Sequence, residues 1–106
     1  MKFKFSPYIA IQVKDHKKAV DFYQNVLGMK FTEENGNDTY LKSDPINFIY
    51  ENGGKPGKVF FEFKVSSVKK ARTLLEKNGC KVTQVYSEKS LMISDPYGMN
   101  FHIWED

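Results

Sequence analysis

Tyr8-Ile9-Ala10-Ile11-Gln12-Val13 lies over Phe60-Phe61-Glu62-Phe63-Lys64-Val65 when the chain is slid along itself by 52 residues. Both stretches alternate in the period-2 manner of a half-buried strand. Further matches follow in order. Lys17-Lys18-Ala19 lies over Lys69-Lys70-Ala71 at the same offset, and Gly28-Met29-Lys30-Phe31 over Gly79-Cys80-Lys81-Val82 at 51. Ser43-Asp44-Pro45 lies over Ser94-Asp95-Pro96 at 51, and Phe48-Ile49-Tyr50-Glu51 over His102-Ile103-Trp104-Glu105 at 54. An ordered series spanning the chain is the mark of an internal repeat.

Each half reads with the same grammar. After the first strand, Asp15 is an N-cap and Ala19, Phe22, Tyr23, Val26 and Leu27 fall at helical spacing before Gly28 ends the helix. In the second half Ser66 or Ser67 caps, Val68, Ala71, Leu74 and Leu75 share a helix face, and Gly79 stops it. Three strand-like stretches follow each helix: 30–34, 39–42 and 46–51, then 81–86, 90–94 and 100–105. Asn52-Gly53-Gly54-Lys55-Pro56-Gly57 is the linker. The expectation is an α+β fold of two βαβββ repeats forming one domain over 1–106, with half one about 5–54 and half two about 55–106.

Composition narrows the function classes. The 106 residues carry a net charge of +3 from interspersed basic and acidic side chains, which is not the footprint of a dedicated nucleic-acid binder. Gly57-Lys58-Val59-Phe60-Phe61-Glu62-Phe63 has the look of an RNA-binding aromatic strand, but eight strand-like stretches are too many for that module and Glu62 would repel phosphate. One cysteine, Cys80, excludes an intrachain disulfide. The longest apolar run, Tyr8 to Ile11, is far short of a membrane span, so a soluble, cytoplasmic chain is expected. The surplus is aromatic: nine Phe, six Tyr and one Trp are many rings for one small core.

Alternation divides those rings. Ile9, Ile11, Val13, Phe61, Phe63, Val65, Phe101 and Ile103 are expected to face the helices. Tyr8, Ala10, Gln12, Phe48, Tyr50, Phe60, Glu62, Lys64, His102 and Trp104 are expected on the opposite face, where no helix remains to cover them.

Three stretches resemble the vicinal oxygen chelate superfamily, which includes glyoxalase I, extradiol dioxygenases and bleomycin-resistance proteins. They are Ala10-Ile11-Gln12-Val13-Lys14-Asp15, the helix from Ala19 through Phe22-Tyr23 to Leu27-Gly28-Met29, and Asp95-Pro96-Tyr97-Gly98-Met99-Asn100. The resemblance implies a concave sheet cleft. In metal-dependent members it implies four ligand positions, here falling on Tyr8, Phe48 (or Ile49 if the strand register differs by one), Phe60 and His102. Phe cannot ligate, neutral Tyr is a poor ligand, and a divalent site wants at least three protein ligands. No metal and no cofactor are therefore expected, which sets the chain closest to the metal-free bleomycin-resistance-like branch.

The expected ligand-binding set is Tyr8, Gln12, Phe48, Tyr50, Phe60, Glu62, Lys64, His102 and Trp104, fitting a small aromatic or planar ligand held by stacking and one or two polar groups. The function expected is sequestration of a drug or metabolite, as in antibiotic resistance, by a homodimer that contacts neither nucleic acid nor membrane. The alternative is a lyase, isomerase or dioxygenase using Glu62 and His102 as acid and base, or a relocated metal site. The plainer readings are that His102 is a half-buried histidine beside Phe101 and Ile103, that the aromatic face is filled by its own side chains or a dimer partner, and that His16 is an exposed residue of the first helical turn.

Overall fold

A computed structural model describes every residue from Met1 to Asp106. The chain runs β1 (Lys4–Val13), α1 (His16–Asn25), β2 (Lys30–Asn35), β3 (Asp38–Ser43), β4 (Ile46–Asn52), β5 (Val59–Lys64), α2 (Val68–Lys77), β6 (Lys81–Ser87), β7 (Ser90–Ser94) and β8 (Asn100–Trp104). This is βαβββ twice, the α+β architecture that the repeat predicts. The helix starts follow from capping. Asp15 accepts from the Lys18 N–H at 3.1 Å, and Ser67, rather than Ser66, accepts from the Lys70 N–H at 3.2 Å.

The chain divides into two compact units, Pro7–Val59 and Phe60–Asp106 with Met1–Ser6. The division expected near residues 54 and 55 is thus displaced, for two physical reasons. The turn after β4 is tied back onto β1: the Gln12 N–H donates to Lys58 O, and Gly57 N–H donates to Gln12 O, both at 2.9 Å. The first residues pack with the second half instead. Phe5 meets the edge of Phe63 at 5.9 Å, and Trp104 Nε1 donates to the buried Ser6 hydroxyl at 3.1 Å. Strand β1 begins at Lys4, four residues before Tyr8, because Pro7 does not end it. Proline argues against strand continuation from sequence, yet it is tolerated where its missing N–H is not required.

In the N-terminal unit the strand order is β2-β3-β4-β1, with β1 parallel to β4 and the other neighbours antiparallel. Leu41 and Tyr50 are fully buried at its centre, and the Tyr23 ring of α1 lies 4.8 Å from the Tyr50 ring. Tyr50 Oη donates to Met29 Sδ at 3.4 Å. The predicted α1 stripe is corrected here. No α1 residue is fully buried, Phe22 is 47% exposed, and Val26 and Leu27 beyond it are more exposed still.

In the C-terminal unit the order is β5-β8-β7-β6, with β5 parallel to β8. Val65, Val68, Ala71, Leu91, Ile93 and Ile103 form its core, flanked by Phe63 and Phe101. Asp95 closes the β7–β8 turn by accepting from the Tyr97 and Met99 N–H groups through Oδ1 at 2.8 and 2.9 Å. Cys80 packs against the core, and burial, with Asp95 nearby, pushes its thiol up.

Gly54 holds the first unit's closing turn. Its φ is +72°, and a Cβ there would stand 2.5–2.7 Å from the Gln12 amide, which accepts from the Lys55 N–H at 2.8 Å. Gly54→Ala is expected to cost about 1–3 kcal/mol by backbone strain and displacement of that amide. Urea denaturation checks this. An unchanged midpoint would show that the turn does not depend on Gln12.

Candidate functional site in the C-terminal unit

Strand pairing decides which side chains share a face, since residues opposite each other point the same way. On β8, His102 pairs with Glu62 of β5 and Met92 of β7, and Trp104 pairs with Lys64 and Ser90. The alternates Phe61, Phe63, Phe101, Ile103, Leu91 and Ile93 belong to the face that carries the α2-packed core. Glu62, Lys64, Ser90, His102 and Trp104 therefore gather on the face away from α2.

These side chains form a bonded row. His102 Nδ1 lies 3.2 Å from Glu62 Oε1, and His102 Nε2 lies 2.6 Å from Ser90 Oγ. A carboxylate can only accept, so Nδ1 carries the proton; in the neutral ring Nε2 then accepts from the Ser90 hydroxyl. The Glu62 and His102 side chains are each 24% exposed, so the row is sheltered but reachable. The Tyr86 ring stands edge-on to the imidazole at 5.7 Å and is half exposed. Lys64 Nζ lies 5.1 Å from the centre of the Trp104 ring and pairs with Asp106 at 2.7 Å. The ammonium thus covers one face of the indole, and the Nε1 edge is fixed by the Ser6 hydrogen bond. The surface thus combines a held indole, a second ring and a polar row able to shuttle a proton.

Of the expected site residues, Glu62, Lys64, His102 and Trp104 stand together. Phe60 shares their face by register but is only 6% exposed, so its ring is not a free stacking surface. Phe48 and Tyr50 are on the wrong face in the sequence reading. β4 pairs with β1 so that Phe48 and Tyr50 align with Ile9 and Ile11, while Asn47, Ile49 and Glu51 align with Tyr8, Ala10 and Gln12. Tyr50 is a core residue under α1. In the N-terminal unit Tyr8 packs edge-on to Tyr40 at 6.3 Å. Gln12 is committed to the turn, donating to Glu51 Oε1 at 3.3 Å as well as accepting from Lys55. His16 is half-buried rather than exposed, with Nε2 2.9 Å from the hydroxyl of the buried Thr39.

Ser90 and Tyr86 are the residues that sequence reasoning missed. Ser90 carries no sequence signal, because only the β7–β8 register sets it opposite Trp104. Tyr86 could not be placed by alternation, because β6 carries register shifts between Val82 and Gln84 and between Val85 and Ser87.

The side chains do not fit a divalent ion. In the N-terminal unit the observed register puts Ile49, not Phe48, opposite Ala10 and beside Tyr8 on the strand-paired face. In the C-terminal unit the positions are Phe60 and His102, and both imidazole nitrogens already have partners. No three His, Cys, Asp or Glu side chains gather into a metal-binding group. A groove of about 650 Å³ lies elsewhere in this unit, along α2, lined by Val68, Lys69, Arg72, Val85 and Leu91 among others. Its Glu105 is spent capping α2, accepting from the Val68 N–H at 2.8 Å.

Across protein families, residues 6–103 match the Glyoxalase/Bleomycin resistance protein/Dioxygenase superfamily. The chain belongs to that superfamily. No curated protein sequence matches it. Among solved structures, a glyoxalase/bleomycin resistance protein/dioxygenase superfamily member from Vibrio splendidus 12B01 aligns over 99% of this chain and 100% of its own, with TM-score 0.71 and 16% identity. Homoprotocatechuate 2,3-dioxygenase from Brevibacterium fuscum, in complex with 3,4-dihydroxyphenylacetate, aligns with TM-score 0.74 and 23% identity, over 99% of this chain and 37% of the dioxygenase. The Mn(II)-bound glyoxalase from Novosphingobium aromaticivorans aligns with TM-score 0.69 and 19% identity, over 99% of this chain and 40% of that one. At these identities the likeness is one of fold. No helix is long and apolar enough to cross a membrane.

Proposed function

We propose that the chain is a metal-independent small-molecule binding protein of the bleomycin-resistance type, sequestering a flat or aromatic drug or metabolite. The observation that carries this reading is the held Trp104 ring, with Tyr86 on the same face and the part-exposed Glu62 carboxylate beside it for polar contact. A planar ligand gains by stacking on such rings and is oriented by one or two hydrogen bonds. The missing metal donors at Phe60 and Ile49 support binding without an ion. A homodimer belongs to the same reading. Phe22, Val26, Leu27 and Phe31 are each about half exposed or more, and such apolar side chains are the kind a second copy buries. Sedimentation velocity checks the dimer, and a monomer at all concentrations contradicts it.

Thermal denaturation with a panel of planar aromatic compounds, including bleomycin-like drugs, tests the binding. A ligand at a hundred times its Kd adds about 2.7 kcal/mol, which raises Tm by roughly ten degrees or more for a domain of this size. No shift with any compound contradicts the reading.

One observation favours a second reading, an enzyme of the same superfamily. The Glu62–His102 hydrogen bond is the arrangement of an oriented general base.

A further inference from the structure

We propose that Ser90 is a nucleophile activated by His102 and Glu62, and that this face of the C-terminal unit cleaves small aryl esters. The proposal rests on the reading that the face takes flat ligands, and it adds a reaction to it.

Three residues from three neighbouring strands carry the argument. Ser90 opens β7, His102 is central in β8 and Glu62 is central in β5. Their atoms run in one sequence: Oγ to Nε2 at 2.6 Å, then Nδ1 to Oε1 at 3.2 Å. That is nucleophile, base and orienter, each within hydrogen-bond reach of the next. Glu62 selects the tautomer that leaves Nε2 free to take the serine proton. The rigid sheet holds all three without a loop, and the Tyr86 edge packs against the imidazole. Ser90 is paired across the ladder with Trp104, so an aryl group stacked on the indole lies beside the nucleophile.

The step balances with water as the second reactant. Ser90 Oγ attacks the ester carbonyl carbon and its proton passes to His102 Nε2. The carbon–oxygen bond to the aryl group breaks, and the departing phenoxide takes that proton and leaves as a phenol. Water then attacks the acyl-serine and gives a proton to Nε2. The bond from Oγ to the acyl carbon breaks, Oγ recovers the proton, and a carboxylic acid is released. Glu62 touches no reacting atom and is a positioning residue.

The test incubates the full chain with p-nitrophenyl acetate and examines it by intact mass and peptide mapping, alongside release of p-nitrophenol. The expected result is one acetyl group on Ser90, no adduct in Ser90→Ala, and release slowed by at least about a hundredfold in that variant. Glu62→Gln is expected to lower kcat by about tenfold or more with KM unchanged, which a merely structural residue would not do. No adduct on the wild-type chain, or an adduct on a lysine, overturns the proposal. Mapping on the wild type needs no variant to fold. Wild-type thermal stabilisation by planar compounds without acetylation sinks the nucleophile and leaves the binding reading standing. Acetylation of Ser90 without any such stabilisation does the reverse.

Discussion

Tyr50→Ala is expected to remove about 3–5 kcal/mol of stability, a large share of what a domain of this size possesses. Tyr50 is fully buried in the N-terminal unit, with the Tyr23 ring tilted against it at 4.8 Å and its hydroxyl bonded to Met29. Truncation leaves a cavity the size of a phenol ring between α1 and the sheet, and α1, which buries none of its own residues completely, loses its main anchor. Tyr50→Phe separates packing from ionisation. Burial, with the neighbouring Tyr23 adding to it, pushes the Tyr50 phenol well above its ordinary value. The protonated form is therefore favoured in the folded state. Its contribution is whole below the ordinary phenol pKa of about 10 and is lost as pH rises beyond it. Urea denaturation at pH 8 and pH 11 is expected to show the wild type losing more stability than Tyr50→Phe. Equal losses would mean that Tyr50 is not buried as a neutral phenol.

The second large effect is expected at Trp104. Stacking of a flat ring on an aromatic side chain is worth about 1–3 kcal/mol, so Trp104→Ala should weaken ligand binding by roughly 5- to 150-fold. The indole also satisfies the buried Ser6 hydroxyl, and losing that partner costs stability on the order of 1–3 kcal/mol. Trp104→Phe divides the two roles, keeping a stacking ring while removing the N–H. Calorimetric titration should therefore find Phe close to the wild type in affinity and Ala far from it. Equal affinity in all three would place the ligand elsewhere.

The fold was legible because each half repeats its punctuation. Asp15 and Ser67 cap, Gly28 and Gly79 stop, and the strands between them alternate well enough to be counted. The site was legible only where alternation was unambiguous. Phe61-Glu62-Phe63-Lys64 admits one assignment of faces, and the ladder sets Glu62 and Lys64 on the same face as His102 and Trp104. Phe48-Ile49-Tyr50 is apolar throughout, and pairing it with the last strand at an offset of 54 put both rings on the wrong face. The ladders set that offset at 53, because Tyr8 aligns with Asn47 as Phe60 aligns with Asn100. A slip of one residue reverses every side chain of a strand. Phe22 misled for another reason: helical spacing marks a stripe but not how much of it the sheet covers. Ser90 carries no sequence signal of its own, and its role depends on the pairing that sets it beside His102.

Trp104 is the chain's only tryptophan, and its emission reports directly on the face proposed to bind ligand. Titrating the full chain with the planar aromatic compounds that raise its melting temperature should give a saturable quench or shift of that emission, fitted by one site. Emission that stays unchanged for every compound up to millimolar concentration would contradict ligand binding on this face.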